Sequence, residues 1–222
     1  NQPYDANTAA CAACHRVHTS TAPTSLQKQW PEEATCFACH DGTGGPNIQA
    51  QFNKPYKMLI AATSGVHSLD EWRTKSPSSF SGANRHVECV DCHNPHYAAA
   101  GNHTIGSAYA FGPQQGVWGV SASYASAWTA PTFSTVNRIT YQYELCFKCH
   151  SSWAFGASPP LSPSGGFPQT DTAKDFNSLN ASLMPVIGQG KNPFQLWNGT
   201  SYASSLIGGF TPTSRMVCSD CH

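Results

Sequence analysis

Five identical clusters of sulfur and imidazole constrain this chain more than any other feature. They are Cys11-Ala12-Ala13-Cys14-His15, Cys36-Phe37-Ala38-Cys39-His40, Cys89-Val90-Asp91-Cys92-His93, Cys146-Phe147-Lys148-Cys149-His150 and Cys218-Ser219-Asp220-Cys221-His222. Together they use all 10 cysteines and half of the 10 histidines. A disulfide framework would not require a histidine after each pair. A thioredoxin-like redox site uses one C-x-x-C on a βαβ scaffold, not five on loops. Zinc ribbons use C-x-x-C pairs, but an adjacent histidine is not part of their geometry. With 10 histidines in 222 residues, five adjacent ones in five trials would arise by chance about once in five million. C-x-x-C-H is the attachment signature of c-type haem: two thioethers hold the porphyrin edge and the next histidine is the proximal ligand. The cofactor set read from the pattern is five covalent haems c.

The remaining histidines complete the ligand count. His15, His40, His93, His150 and His222 are proximal. His18, His67, His86, His96 and His103 are left, one for each iron, which points to bis-His ligation throughout. Methionine is the alternative axial ligand and raises the potential. Met58, Met184 and Met216 are the three available, and the count needs none of them. An iron with two protein ligands has no open position, so catalysis at iron is not expected and the chain is read as a non-enzyme. Low potentials follow from bis-His ligation.

The rest of the composition makes sense only with such a cofactor. Charged residues are 11% of the chain, against about 25% in an ordinary soluble domain. Gly 18 and Pro 16 favour turns and irregular backbone. The longest aliphatic-leaning stretch is Met58–Ala62. A conventional core is hard to build from this, whereas porphyrin faces covered by Phe, Tyr, Trp and Pro supply one. The expected fold has few secondary structures: mostly coil with short helices, wrapped around a stack of five haems in a single domain, 1–222. A chain of this length has a radius of gyration of roughly 17 Å, so the haems must lie against one another. Motif starts at 11, 36, 89, 146 and 218 are too uneven for a strict repeat. Helical turns are expected at Ser25–Trp30, Glu88–His93 and Tyr141–His150. Gly42–Asn53, Ala98–Thr135 and Ser151–Gly190 read as loops.

Partners and location follow by elimination. The formal net charge is zero with no basic block, so nucleic acid is not expected, and Tyr109, Phe111, Trp118, Tyr124 and Trp128 are assigned to haem faces. No run approaches 18 apolar residues, so no membrane span is expected. With propionates counted, the loaded protein carries about −5 when oxidised and about −10 when reduced. Haem c is attached outside the cytoplasmic membrane, so the chain is expected to be exported, its signal peptide removed. Asn102, Asn180 and Asn198 head N-x-S/T triplets and are read as solvated loop surface.

His86-x-x-Cys89-Val90-Asp91-Cys92-His93-Asn94-Pro95-His96 resembles the multihaem cytochromes with doubled C-x-x-C-H motifs. Tyr143–His150 and Ser214–His222 are similar to that group, and Cys11-x-x-Cys14-His15-x-x-His18 resembles the opening of the extracellular cytochrome nanowires. That resemblance implies mostly coil structure, a continuous stack of bis-His haems, and a ligand donated between subunits. Two specific expectations follow. His96, three residues after His93, is expected to ligate a haem other than its own, with that of His150 the first choice. His18 is expected to ligate the Cys218/Cys221 haem of an adjacent subunit, giving a head-to-tail homopolymer; in a compact monomer it would fold back onto an internal haem. A discrete periplasmic or surface protein passing electrons to redox partners is the alternative to the filament.

Overall fold

The structure is a computed structural model that describes residues 10–22, 26–55, 57–58, 60, 87–157, 171–190, 195–197, 202–204 and 208–222. Its elements are short. They are α1 (Ala10–Cys14), α2 (Glu32–Phe37), α3 (Cys89–Cys92), β1 (Gly119–Ser123), β2 (Thr132–Val136), α4 (Gln142–His150), α5 (Ser152–Phe155), α6 (Thr172–Asp175), β3 (Gln195–Trp197) and β4 (Tyr202–Ser204). Single 3-10 turns occupy Gln49–Asn53, Gly112–Gln114 and Cys218–Asp220. Among the described residues no helix is long and apolar enough to cross a membrane.

The chain divides into two compact units, one of Asn1–Gly65 with His86–Asp91 and one of Val66–Arg85 with Cys92–His222. In the first, α1 is held by an antiparallel bridge between His15 and Gln27, flanked by bonds from Arg16 N–H to Leu26 O (2.8 Å) and from Lys28 N–H to Cys14 O (2.7 Å). Leu26 sits at φ 52. The helical turn expected at Ser25–Trp30 is therefore absent over its described part: a left-handed residue and an extended pairing replace it. Ser25 lies outside the described residues.

The second unit holds the apolar core. Val120, Tyr143, Phe147, Ala173 and Val186 form one cluster, and Val117, Ile139 and Leu145 another. Phe147 and Val120 are fully buried, each contributing about 1.5–3 kcal/mol. The stretch read as a loop at Ala98–Thr135 contains β1 and most of β2, paired antiparallel with Val120 opposite Thr135 and Ala122 opposite Phe133. The Gly-Val-Ser-Ala-Ser sequence of β1 has weak strand propensity, and its packing on α4 supplies what propensity lacks. A Cβ on Gly119 would lie 2.5 Å from the Glu144 carbonyl oxygen, so only glycine lets the two backbones approach. Ser151–Gly190, read as a loop, carries α5 and α6, capped by Ser151 Oγ on Trp153 N–H and Asp171 Oδ1 on Ala173 N–H. The 3-10 turn at Gln49–Asn53 likewise lies inside the loop read at Gly42–Asn53.

Helix α4 matches the turn expected at Tyr141–His150. Glu144 in its first turn and Lys148 and His150 in its last complement the helix dipole. Glu144 Oε2 accepts from Thr140 N–H (2.7 Å) and Tyr141 N–H (2.9 Å), so the N-cap donor and the one before it are satisfied. Asn180 departs from its reading as solvated surface. It is fully buried; its Oδ1 accepts from Trp128 N–H (2.6 Å) and its Nδ2 donates to Lys174 O (3.1 Å) and Asp175 O (3.2 Å). That side chain ties the hairpin loop to α6. Asn102 is exposed, and Asn198 lies outside the described residues.

Candidate haem sites

Each C-x-x-C-H cluster falls on a single helical turn. His15 N–H bonds Cys11 O (2.9 Å), His40 N–H bonds Cys36 O (3.0 Å), and His222 N–H bonds Cys218 O (3.2 Å). The fourth cluster lies wholly within α4, and the third has its two cysteines on α3. Residues three and four apart share a helix face. Both thiols and the imidazole of a cluster therefore present themselves to one side, as a flat group bonded at its edge and ligated at its centre requires. His40, His93, His150 and His222 are exposed and His15 is half-buried.

The fold also brings thiols of different clusters together. In the first unit, ligand atoms of Glu32, Cys36 and Cys89 lie within 4.8 Å of one another. A hydrogen bond from Cys89 holds the Cys36 thiol below its ordinary range, while the same bond, with burial, pushes Cys89 up. Burial raises Cys14, and the nearby Cys36 and Cys39 raise it further. Glu32, buried in the first turn of α2, accepts from Val90 N–H (3.0 Å) and so pins the second cluster to the third. In the second unit, Cys146 is hydrogen-bonded to Cys218 and raised by that bond and by burial, with Cys92 and Cys149 nearby. Cys218 is correspondingly lowered. Gln142 Nε2 donates to Ser219 Oγ (2.9 Å), and Ser219 N–H donates to Gln142 Oε1 (3.0 Å). That reciprocal pair pins the fourth cluster to the fifth. Glu32 and Gln142 are the organising residues that pattern reading missed; each stands four residues before the first cysteine of its cluster, Cys36 and Cys146.

The histidines bear on whether haem fits. His93 Nδ1 lies 2.8 Å from Pro113 O. It donates to that carbonyl, which leaves Nε2 as the nitrogen for a metal, the arrangement a ligating imidazole needs. Of the spare histidines, His18 is exposed on the turn after α1 and His96 is exposed after α3. His96 does not share a turn with His93. Asn94 Oδ1 accepts from His96 N–H (3.1 Å), and Asn94 O accepts from Tyr97 and Ala98 N–H, so a new turn starts at Asn94. His103 is half-buried beside Asp220. His67 and His86 lie outside the described residues. Exposed Val17, Leu26, Trp30, Ile48 and Tyr97 flank the clusters with apolar surface that porphyrin faces can cover. Cysteines, histidines and apolar surroundings fit covalent haem.

A family described as the doubled CXXCH motif matches residues 3–45, a stretch that contains the first two clusters. No curated protein and no solved structure matches the chain. Motifs of this kind indicate covalently bound c-type haem. The doubled motif therefore indicates a multihaem c-type cytochrome.

Proposed function

We propose that the protein transfers electrons through five closely packed haems c, all bis-His, as the subunit of an extracellular conductive filament. Haem c supplies one-electron exchange at iron. The carrying observation is the neighbourhood of successive clusters: Cys14 beside Cys36 and Cys39, Cys36 beside Cys89, Cys146 beside Cys92 and Cys218. Attachment points that adjoin in chain order set up short transfer distances in the same order. The ten cysteines bind the porphyrin edges. His15, His40, His93, His150 and His222 hold the proximal positions, and His18, His67, His86, His96 and His103 the distal ones. With every distal position filled by imidazole, the residues leave no iron for substrate, and the protein is not an enzyme. The backbone is then coil and short helices wrapped around the haem stack, which serves as a core.

His18 ligates the Cys218/Cys221 haem of the adjacent subunit. A head-to-tail contact of that kind grows an open filament when its rotation does not close. The exposure of His18 on the turn after α1 supports the assignment. A second reading is a discrete periplasmic or cell-surface electron carrier. It is favoured by the placement of His103, on the same chain, against the fifth cluster.

Intact mass and electron microscopy of the purified protein test the proposal together. Five haems, low-spin spectra without a CO-binding component, and filaments lost on His18→Ala are expected. Fewer than five haems or a sizeable high-spin fraction refutes the cofactor assignment. Filaments that persist in His18→Ala with every iron six-coordinate refute the inter-subunit ligand, and a monodisperse monomer supports the discrete carrier.

A further inference from the structure

Three tyrosines lie one behind another in the second unit. Tyr109 and Tyr141 face each other across an isolated antiparallel bridge. Its flanking bonds run from Ala110 N–H to Thr140 O (2.9 Å) and from Gln142 N–H to Ala108 O (3.1 Å). Residues so placed form a non-hydrogen-bonded pair, the kind that brings side chains closest. The two rings stack with centroids 5.3 Å and planes 22° apart, and the Tyr141 and Tyr143 rings follow at 5.7 Å and 10°. Tyr143 meets Phe147, one turn further along α4, at 5.3 Å. Phe147 stands between Cys146 and Lys148, inside the fourth cluster.

Exposure falls along this column. Tyr109 is 59% exposed, Tyr143 is 7% exposed and Phe147 is fully buried. Tyr109 is thus the ring of the column that a dissolved oxidant reaches first. Arg215 covers Tyr141, its guanidinium carbon 4.8 Å from the ring centroid. The guanidinium is held there by Nε and Nη2, which donate to Val186 O (3.2 and 2.8 Å). A fixed cation over a ring draws on its π density and makes loss of an electron from that ring harder. An electron vacancy therefore settles on Tyr109, and Tyr141 and Tyr143 act as bridging rings that neither gain nor lose a proton.

We propose that this column is a radical-repair route: Tyr109 is oxidised at the surface, and an electron from the fourth cluster restores it by way of Phe147, Tyr143 and Tyr141. This rests on the multihaem reading above, which puts a haem on Cys146 and Cys149. A one-electron oxidant, such as hydroxyl radical, takes an electron from Tyr109 while the phenolic proton passes to water, leaving a phenoxyl radical. An electron from ferrous iron then crosses the stacked rings, and the phenoxyl oxygen takes a proton from water. Tyrosine is regained and the iron becomes ferric, the one-electron exchange that haem c supplies. Transfer from an iron of low potential to a phenoxyl radical is downhill. The protein would thereby spare its own surface at the cost of one stored electron per repair.

The test uses the holoprotein, ferrous or ferric, and azide radicals generated by radiolysis without oxygen, at fewer radicals than haems. Oxidation products at Tyr109 are counted by peptide mass spectrometry. Ferrous wild type is expected to accumulate fewer of them than ferric wild type. That protection should be lost in Tyr141→Leu and kept in Tyr141→Phe, which retains the bridging ring. Equal oxidation of Tyr109 in ferrous and ferric wild type overturns the proposal. So does protection that survives in Tyr141→Leu, since direct scavenging by haem needs no column. If Tyr141→Leu does not load the Cys146/Cys149 haem, pulse radiolysis of wild type decides. The phenoxyl signal that Tyr109→Phe lacks should decay in step with loss of ferrous haem, at a rate independent of protein concentration; a second-order decay overturns the route. A wild-type protein without covalent haem, read from its mass beforehand, refutes the multihaem reading itself and this route with it.

Discussion

Replacing Glu144 by alanine should loosen the start of the helix that carries the fourth cluster while leaving its Cys146–His150 end in place. Glu144 is 5% exposed and its Oε2 accepts from the Thr140 and Tyr141 N–H groups at 2.7 and 2.9 Å. A hydrogen bond to a charged acceptor contributes about 1.5–3 kcal/mol, so the two together reach about 3–6 kcal/mol. Thr140 is exposed, and water recovers part of that, which leaves a cost of about 2–4 kcal/mol. For local opening, that cost corresponds to exchange of the Thr140 and Tyr141 amides faster by roughly 30- to 1,000-fold. Glu144→Gln keeps an acceptor oxygen and should cost about half as much. Amide exchange of the ferrous holoprotein, followed by mass spectrometry over residues 138–150, measures both variants. Rates for Thr140 and Tyr141 in Glu144→Ala within about threefold of wild type would show that the cap contributes little and that the reasoning fails.

Three further outcomes are expected. Gly119→Ala puts a methyl 2.5 Å from the Glu144 carbonyl oxygen and from Ile139 Cγ2; overpacking should lower stability by about 1–3 kcal/mol, and an unchanged guanidinium midpoint would contradict it. Asn180→Leu removes three hydrogen bonds from a fully buried side chain and should cost about 2–5 kcal/mol, read as faster exchange across the hairpin loop and α6. Burial raises the pKa of Glu32, so its contribution to stability is present below the ordinary carboxyl range and is lost as pH rises through the raised value. Protection of α2 amides, corrected for intrinsic exchange, should fall over that interval in wild type and stay level in Glu32→Gln; parallel curves would be the contrary result.

The covalent chemistry was legible in the sequence because it is local. Cysteines at i and i+3 with histidine at i+4 share a face on any helical turn, and the turns observed at Cys36–His40 and Cys218–His222 form through backbone bonds within the cluster itself. Helix α4 was legible for the same reason, its caps and charges lying within a few residues of one another. The turn expected at Ser25–Trp30 failed because the extended pairing of Gln27 with His15 overrode local propensity. The hairpin was missed because a Ser- and Ala-rich strand exists only through what it packs against.

By itself, then, the amino-acid sequence set out five C-x-x-C-H sets and the spacing of thiols and imidazole within each. Only the tertiary structure decided which sets are neighbours. Glu32 reaches Val90 across 58 residues and Gln142 reaches Ser219 across 77. His103 Nδ1 lies 3.3 Å from Asp220 Oδ1, with β1, β2 and α4 between the two residues in the chain. Bonds at such separations depend on the whole path of the chain between them. No spacing rule carries that information, since the cost of closing a long loop varies only slowly with its length and leaves many partners almost equally accessible until packing selects one.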